Sequence, residues 1–222
     1  MKRLLPALVL VFAMSGLARA QTTQPATTPA KPASAELLDD VQKRLLTVNT
    51  VEADFVQEKE LAMLKNKLII KGHFALEKPD RVIWNVKEPV KYAMSVRGDE
   101  LKQWDEDTNK VQVMHLGGDP TFKAISEQIN SWFMGDYRKL AAEYDVTVEN
   151  ETPLTLGFAP KGNSMVSKML KQISVSFGRE GKYIDTMVIR ETAGSVTTLK
   201  YIDAKINEPI KKATWEIPPH DR

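Results

Sequence analysis

Short runs of alternating apolar and polar residues, separated by turn residues, dominate this chain and restrict it to a sheet-rich fold. From Val51 apolar residues recur at every second position, and the same spacing returns after Tyr144. Pro, Gly, Asp and Asn stand between the runs, as expected of tight turns. The pattern predicts antiparallel strands over residues 51–55, 68–76, 81–86, 92–96, 101–104, 111–116, 144–149, 154–159, 172–177, 183–191 and 196–203.

Helical spacing occurs in two places. Ser34 can cap a first helix, whose apolar stripe is Leu37, Val41, Leu45 and Val48. Asp119 and Pro120 are typical of the start of a second helix, which ends at Gly135. The apolar stripe of this second helix is Phe122, Ile125, Ile129 and Phe133. A shorter helical piece is predicted over residues 136–143.

Together these elements predict an α+β fold. About ten or eleven antiparallel strands are expected to curl into a half-open β-barrel, because twisted open sheets of that size rarely stay flat. A curled sheet has a concave face that must be covered. The predicted helix of residues 120–133 is the expected lid over that face, and the N-terminal helix is expected to pack one face on the larger body of the fold.

The N-terminus is typical of a secretory signal peptide. Lys2 and Arg3 precede an apolar run over residues 4–14, and small residues at Ala18 and Ala20 predict cleavage after Ala20. The run is too short for a membrane span, which takes about 20 residues. Residues 21–33 are rich in Pro, Thr, Gln and Ala and predict a disordered linker, so residues 34–222 form the expected single folded domain.

Composition excludes several classes of function. Removal of residues 1–20 leaves 202 residues with 28 basic and 29 acidic side chains, so the mature chain is nearly neutral. Non-specific nucleic-acid binding needs a basic face and is therefore disfavoured. The chain has no cysteine, which excludes disulfides, thiolate metal sites, a cysteine nucleophile and a lipid-modified N-terminal cysteine. A soluble exported protein of the periplasm is the prediction.

Motifs that could mark a catalytic or metal site are incomplete. Residues 105–116 begin like a calcium loop but lack the required glycine and glutamate. Residues 162–166 begin like a nucleophile elbow but lack its closing glycine. His73 and His115 fall in predicted strands with too few other ligands for a metal. No catalytic residue, metal site or cofactor is predicted, and on pattern alone Trp84 and its apolar neighbours are ordinary core.

The order of the motifs resembles a known family. The run "VEADFVQEK" contains Phe55 and Gln57, and "GHFALEKPDRVIWNVKEP" contains Lys78, Pro79 and Trp84. "RGDELKQWDED", "ISVSFGREGKYIDTMVIRETAG" and a terminal "WEIPP" follow in that order. This succession resembles the periplasmic outer-membrane lipoprotein carriers, the LolA-like proteins, over nearly the whole chain after the linker.

The resemblance implies a hydrophobic cavity between a half-open barrel and its helices. In this family the cavity holds lipoprotein acyl chains, which an inner-membrane ATP-driven transporter donates and an outer-membrane receptor accepts. No cofactor is implied, and a monomer is expected. The lipid-binding cavity is predicted to be lined by Phe55, Phe74, Leu76, Val82, Trp84, Met94, Phe122, Ile125 and Ile129.

Departures from the family leave the cargo open. Lys78 stands where the family often has an arginine that hydrogen-bonds the lid, so Lys78 is the predicted latch, weaker than arginine because it lacks a fork of donors. The insertion of residues 120–143 is long and the tail after Pro219 is short. The cargo is thus a lipoprotein or another envelope lipid. The alternatives are a non-catalytic sensor or scaffold that binds a protein partner, and a secreted hydrolase for which no residue can be nominated.

Overall fold

The computed structural model describes residues 31–62, 66–115, 132, 135–162 and 165–217. One sheet of twelve strands contains most of these residues, and every neighbouring pair is antiparallel. The strands are β1 (Lys31–Pro32), β2 (Thr50–Glu60), β3 (Leu68–Glu77), β4 (Arg81–Glu88), β5 (Tyr92–Arg97), β6 (Glu100–Asp105), β7 (Lys110–His115), β8 (Tyr144–Glu151), β9 (Leu154–Pro160), β10 (Leu170–Gly178), β11 (Tyr183–Glu191) and β12 (Val196–Ile206).

The sheet confirms the predicted antiparallel architecture with few helices. Its order is β1-β8-β9-β10-β11-β12-β2-β3-β4-β5-β6-β7, so the sheet is open, with β1 and β7 at its edges. The expected ten or eleven strands are twelve, because Lys31 and Pro32 pair with β8. The sequence predicts these two residues to lie in the linker, so the predicted boundary is wrong for both of them. The predicted signal peptide, linker residues 21–30 and nearly all of the predicted lid lie outside the described residues.

Helix α1 (Ala35–Leu46) forms where the sequence predicts it. Ser34 caps it by accepting a hydrogen bond from the Leu37 backbone N–H at 3.2 Å. The helix buries Leu38, Val41 and Leu45 against the sheet. Its spacing of three and four residues places these side chains on one face, so α1 covers the sheet with a single apolar stripe.

Two shorter helices follow. Helix α2 (Tyr137–Glu143) is capped by Asp136 and confirms the predicted helical piece, while α3 (Met165–Met169) precedes β10. Arg138 of α2 forms a two-pronged ion pair with Asp39 of α1, so the two helices are joined across the surface. Single 3₁₀ turns occur at Arg179–Gly181 and Lys212–Trp215.

The main core lies between the helices and one face of the sheet, here called the inner face. Residues of α1 and α2 pack there against inward residues of β2–β4 and β8–β12. A smaller cluster on the same face contains Tyr92, Met94 and Leu101, with Trp84, Val86, Val96 and Met114 packed around it. The inner face is therefore apolar along most of its width.

The opposite, outer face carries the C-terminal segment. The Thr214 hydroxyl donates a hydrogen bond to Glu52 at 3.1 Å, and the Arg81 guanidinium stacks 4.1 Å from the centre of the Trp215 ring. His73 also lies on this face, 2.9 Å from Asp54 and 3.2 Å from Glu52. Across the described ranges, no helix has both the length and the apolarity to cross a membrane.

A candidate binding cavity on the inner face of the sheet

Four aromatic rings form a continuous surface at the centre of the inner face. Trp84 of β4 lies with its ring centre 4.1 Å from that of Phe55 and 5.7 Å from that of Phe74. Tyr201 of β12 is 5.2 Å from Phe74 and 6.5 Å from Trp84. We call these four residues the central aromatic cluster. Phe55 and Phe74 are buried and Trp84 is partly exposed, so the cluster offers a large apolar area with one accessible ring.

A glycine in the middle of β3 makes room for this cluster. Gly72 pairs with Phe55 across the β2–β3 ladder. A Cβ atom at residue 72 would lie 2.2 Å from the Asn85 carbonyl oxygen and 2.5 Å from Phe55 Cζ. No side chain fits at that separation, so the Phe55 ring can lie over the strand only because residue 72 is glycine.

A small cavity lies between the end of α1 and the central aromatic cluster. Its volume is about 30 Å³, the space of roughly one water molecule. The residues around it are Leu45, Val48, Val51, Phe74, Leu76 and Tyr201, with Lys78, Lys182, Tyr183 and Ile184 completing the lining. Pockets for drug-sized ligands hold roughly 300–1,000 Å³. This cavity is therefore too small for such a ligand as it stands.

Lys78 ties α1 to the sheet at this cavity. Its ammonium donates a hydrogen bond to the Leu45 carbonyl oxygen at 2.7 Å, in the last turn of α1. A cation is favourable there because the carbonyls at a helix C-terminus lack helical partners and carry partial negative charge. Burial lowers the pKa of Lys78, since the partly dry site disfavours the ammonium. Lys78 thus holds the N-terminal helix, while its predicted contact with the insertion stays a prediction because that insertion lies almost wholly outside the described residues.

Tyr201 brings an unpaired polar atom into the same apolar space. Its hydroxyl is fully buried and has no hydrogen-bond partner among the described residues. Burial raises the pKa of Tyr201, so the hydroxyl stays protonated at physiological pH. The inner face therefore contains a hydrogen-bond donor that nothing in the described chain uses.

The structure brings most of the predicted lining residues together. Phe55, Phe74 and Trp84 meet in the central aromatic cluster, and Leu76 joins Phe74 beside the cavity. Val82 is buried in the same core. Met94 pairs with Trp84 across the β4–β5 ladder but belongs to the smaller cluster with Tyr92 and Leu101. The remaining predicted residues, Phe122, Ile125 and Ile129, lie outside the described part of the chain.

Sequence analysis missed several residues of this site. Leu45 and Val48 were assigned to the helix stripe, but they also form one wall of the cavity. Tyr201 was missed because it is 117 residues from Trp84 in the sequence, although the rings meet in space. The alternation of β12 does place Leu199 and Tyr201 on one buried face, which was the available signal.

Comparison with known proteins identifies relatives of this chain. The family model "Outer membrane lipoprotein carrier protein LolA" matches residues 46–218. A protein of Pseudoalteromonas translucida named outer-membrane lipoprotein carrier protein is 22% identical over 194 residues, which cover 86% of each chain. The match therefore includes all described strands except β1.

Solved structures share the fold at lower identity. MucB is 12% identical and superimposes with a TM-score of 0.52, over 84% of this chain and 64% of MucB. The MucA/MucB complex of Pseudomonas aeruginosa contains a chain that is 13% identical, with a TM-score of 0.50 over 82% of this chain and 61% of that one. The arrangement of sheet and helices is thus found in proteins of distant sequence.

Proposed function

We propose, because the chain belongs to the LolA family of outer membrane lipoprotein carrier proteins, that it is a non-catalytic periplasmic carrier for acyl chains. The observation that supports this most directly is the central aromatic cluster beneath α1, with its partly exposed Trp84 and adjoining cavity. The proposed contact residues for the acyl chain are Phe55, Phe74, Leu76, Val82, Trp84 and Met94. The cargo is a lipoprotein or another envelope lipid.

Binding of an acyl chain requires the inner face to open. Burial of hydrocarbon is worth about 0.8 kcal/mol per CH₂, or roughly 13 kcal/mol for a chain of about 16 carbons before the costs of binding. A cavity of about 30 Å³ cannot contain such a chain. The apolar residues of α1 that now cover the inner face, Leu38, Val41 and Leu45, must therefore yield part of that surface to the cargo.

This competition explains how a carrier binds hydrocarbon and still releases it. Without cargo, α1 buries its own apolar stripe against the sheet, so this stripe and the inner face beneath it are kept from water. With cargo, the acyl chain replaces part of that contact. The binding free energy is the difference between burying the acyl chain and burying the apolar stripe of α1. This difference keeps the affinity low enough for the cargo to be released to the next protein. Lys78 stabilises the cargo-free state, because its hydrogen bond to the Leu45 carbonyl oxygen holds α1 on the sheet.

Unique cysteines provide the test of this function. The chain has no cysteine, so Leu76→Cys on the inner face and Val113→Cys on the outer face can each be labelled at one position only. Dodecyl and methyl methanethiosulfonate are compared on both variants. We expect the dodecyl reagent to be preferred at residue 76, which is 2% exposed, and not at residue 113, which is 50% exposed.

Equal preference for the dodecyl reagent at both positions would exclude an acyl-binding inner face. Organic extraction of the purified wild-type protein, followed by mass spectrometry, then identifies any lipid that it carries. The proposed donor is an inner-membrane transporter and the proposed acceptor an outer-membrane receptor, and the extracted lipid class decides which kind of cargo they exchange.

Binding of a protein partner is a second candidate, favoured by the edge of the sheet. Within the described residues β7 pairs only with β6, and its Val111 and Val113 are 48% and 50% exposed. An open strand edge can accept a strand from another chain. A protein that carries no extractable lipid and shows no dodecyl preference at residue 76 would favour this function over the carrier.

A further inference from the structure

The inner face is not apolar throughout: its end furthest from the last turn of α1 is polar. The inward residues of β2 after Phe55 are Gln57 and Lys59, which are only 3% and 6% exposed. Thr197 of β12 pairs directly with Lys59 and is 1% exposed. Glu191, the last residue of β11, lies with its carboxylate 3.3 Å from the Lys59 ammonium. We call these four residues the polar patch.

Several atoms of the polar patch have no hydrogen-bond partner among the described residues. Gln57 Nε2, Thr197 Oγ1 and Glu191 Oε1 are buried without one, although the Glu191 atom faces Lys59 as an ion pair. A buried donor or acceptor left unpaired costs about 1–3 kcal/mol. Apolar side chains of similar size would avoid that cost. A role in stability alone therefore does not explain why these buried positions carry polar side chains.

The position of the polar patch relates it to the hydrocarbon surface. Residues 55, 57 and 59 point to the same face of β2, and a strand advances about 7 Å for every two residues. Gln57 thus lies about 7 Å, and Lys59 about 13 Å, along the strand from Phe55 of the central aromatic cluster. A single ligand can contact both regions if a polar group adjoins its hydrocarbon chain.

The charges of the polar patch determine which polar group of a ligand could bind there. Lys59 is balanced by Glu191, so the patch as a whole is neutral. Gln57 Nε2 and the Thr197 hydroxyl can donate hydrogen bonds, and the Glu191 carboxylate can accept one. An ester carbonyl with a neighbouring free hydroxyl matches this set. A carboxylate or phosphate would instead meet the Glu191 charge at close range.

We propose that the polar patch binds the neutral glycerol-ester part of an acylated ligand while the central aromatic cluster binds its hydrocarbon chain. This inference rests on the proposed carrier function. It specifies that function further, because it identifies the bound polar group as a neutral ester and orients the ligand along β2. The aliphatic chain extends from Gln57 towards Phe55 and the cavity beneath α1.

Competition binding tests the assignment. The fluorescent apolar probe N-phenyl-1-naphthylamine is displaced by monodecanoyl glycerol, a neutral ester, or by decanoate, an anion of the same chain length. The wild-type protein is expected to prefer the glycerol ester. In Gln57→Leu/Thr197→Val the affinity for the ester relative to the probe should fall about thirtyfold, the loss expected from two hydrogen bonds of about 1 kcal/mol each.

The matched control is Thr198→Val. Thr198 is the next residue of β12, points to the opposite face and pairs with Glu58. This variant should retain the wild-type ratio of ester to probe affinity. Thermal unfolding should show no loss of stability in Gln57→Leu/Thr197→Val, because its substitutions remove unpaired polar atoms.

A second variant tests the charge balance. Glu191→Gln leaves Lys59 without its counter-ion, so decanoate should gain about tenfold relative to the glycerol ester. An unchanged ester-to-probe ratio in Gln57→Leu/Thr197→Val would overturn the inference while leaving the carrier function intact. A wild-type protein that binds neither the probe nor either decanoyl compound would overturn the carrier function itself.

Discussion

The two halves of the inner face differ in how completely they are packed. Against the half formed by β8–β12, which we call the packed half, aromatic residues that are each at most 5% exposed pack on one another: Trp132, Tyr137 of α2, Tyr144, Phe158 and Phe177. In the half formed by β4–β7, the loose half, the described residues form a small buried cluster of Tyr92, Met94 and Leu101, surrounded by the partly buried Trp84, Val86, Val96 and Met114.

This difference in packing suggests a division of roles, in which the packed half provides stability and the loose half provides binding surface. Phe158 has ring contacts with Trp132 at 4.9 Å, Tyr137 at 5.9 Å and Tyr144 at 6.3 Å, so the packed half is a closed aromatic core. Trp84 of the loose half packs against Tyr92, Met94 and Leu101, and its ring also contacts Phe55 of the central aromatic cluster. A protein that exchanges hydrophobic cargo needs one region that stays folded and another whose contacts can be replaced.

The largest expected effect is in the packed half. Phe158→Ala should lower the free energy of unfolding by about 3–5 kcal/mol, because it removes a fully buried ring from between three aromatic neighbours. Urea denaturation measures the change. A loss below about 1 kcal/mol would mean that the packed half collapses around the gap, and the contrast with the loose half would disappear.

Trp84→Ala should have a smaller effect on stability and a larger effect on binding. The partly exposed ring predicts a loss of about 2 kcal/mol, less than for a fully buried aromatic residue. Affinity for N-phenyl-1-naphthylamine should fall about tenfold or more. Trp84→Phe is the conservative control and should recover much of the affinity. Full affinity in Trp84→Ala would remove Trp84 from the binding surface.

Lys78→Met tests the contact that holds α1 on the sheet. The substitution keeps the apolar stem and removes the hydrogen bond to Leu45, with an expected loss of stability of about 1 kcal/mol because relief of buried charge offsets part of the bond. Since the empty state is weakened, apparent affinity for the apolar probe should rise severalfold. Lys78→Arg keeps a cationic donor for the Leu45 carbonyl, so its probe affinity should not rise above the wild-type value. Unchanged affinity in Lys78→Met would show that this contact does not oppose binding.

The smallest effect is expected on the outer face of the loose half. Val113→Lys changes a side chain that is 50% exposed, so the free energy of unfolding should change by less than about 0.5 kcal/mol. Probe affinity should also stay at the wild-type value. A clear loss of probe binding in this variant would place part of the site on the outer face.

The strands and the first helix could be predicted because their signals are local. Alternation with turn residues gave the strands after β1, and the spacing from Ser34 gave α1 with its buried Leu38, Val41 and Leu45. Strand β1 has no such signal. Lys31 and Pro32 are exposed and pair only through the backbone with Thr147 and Val148, so sequence analysis assigned them to a linker.

The candidate site was predictable only in part, because it depends on contacts between distant segments. Phe74 and Trp84 lie on adjacent strands, so alternation alone places them together. The partner of Lys78 depends on where α1 ends over the sheet, which spacing within α1 does not determine. Gln57 was recognised only as part of a motif, since its burial results from neighbours as remote as Leu199.

The attachments of α1 at its two ends are unequal. Before it, the Ala33 N–H donates one backbone hydrogen bond to the Val146 carbonyl of β8, the strand next to edge strand β1. After it, the Asn207 side chain accepts a hydrogen bond from the Asn49 N–H at 2.7 Å and donates one to the Thr47 carbonyl at 3.0 Å. The helix is therefore held more firmly at residues 47–49 than before its N-terminus. Any separation of α1 from the sheet would begin at its N-terminal end.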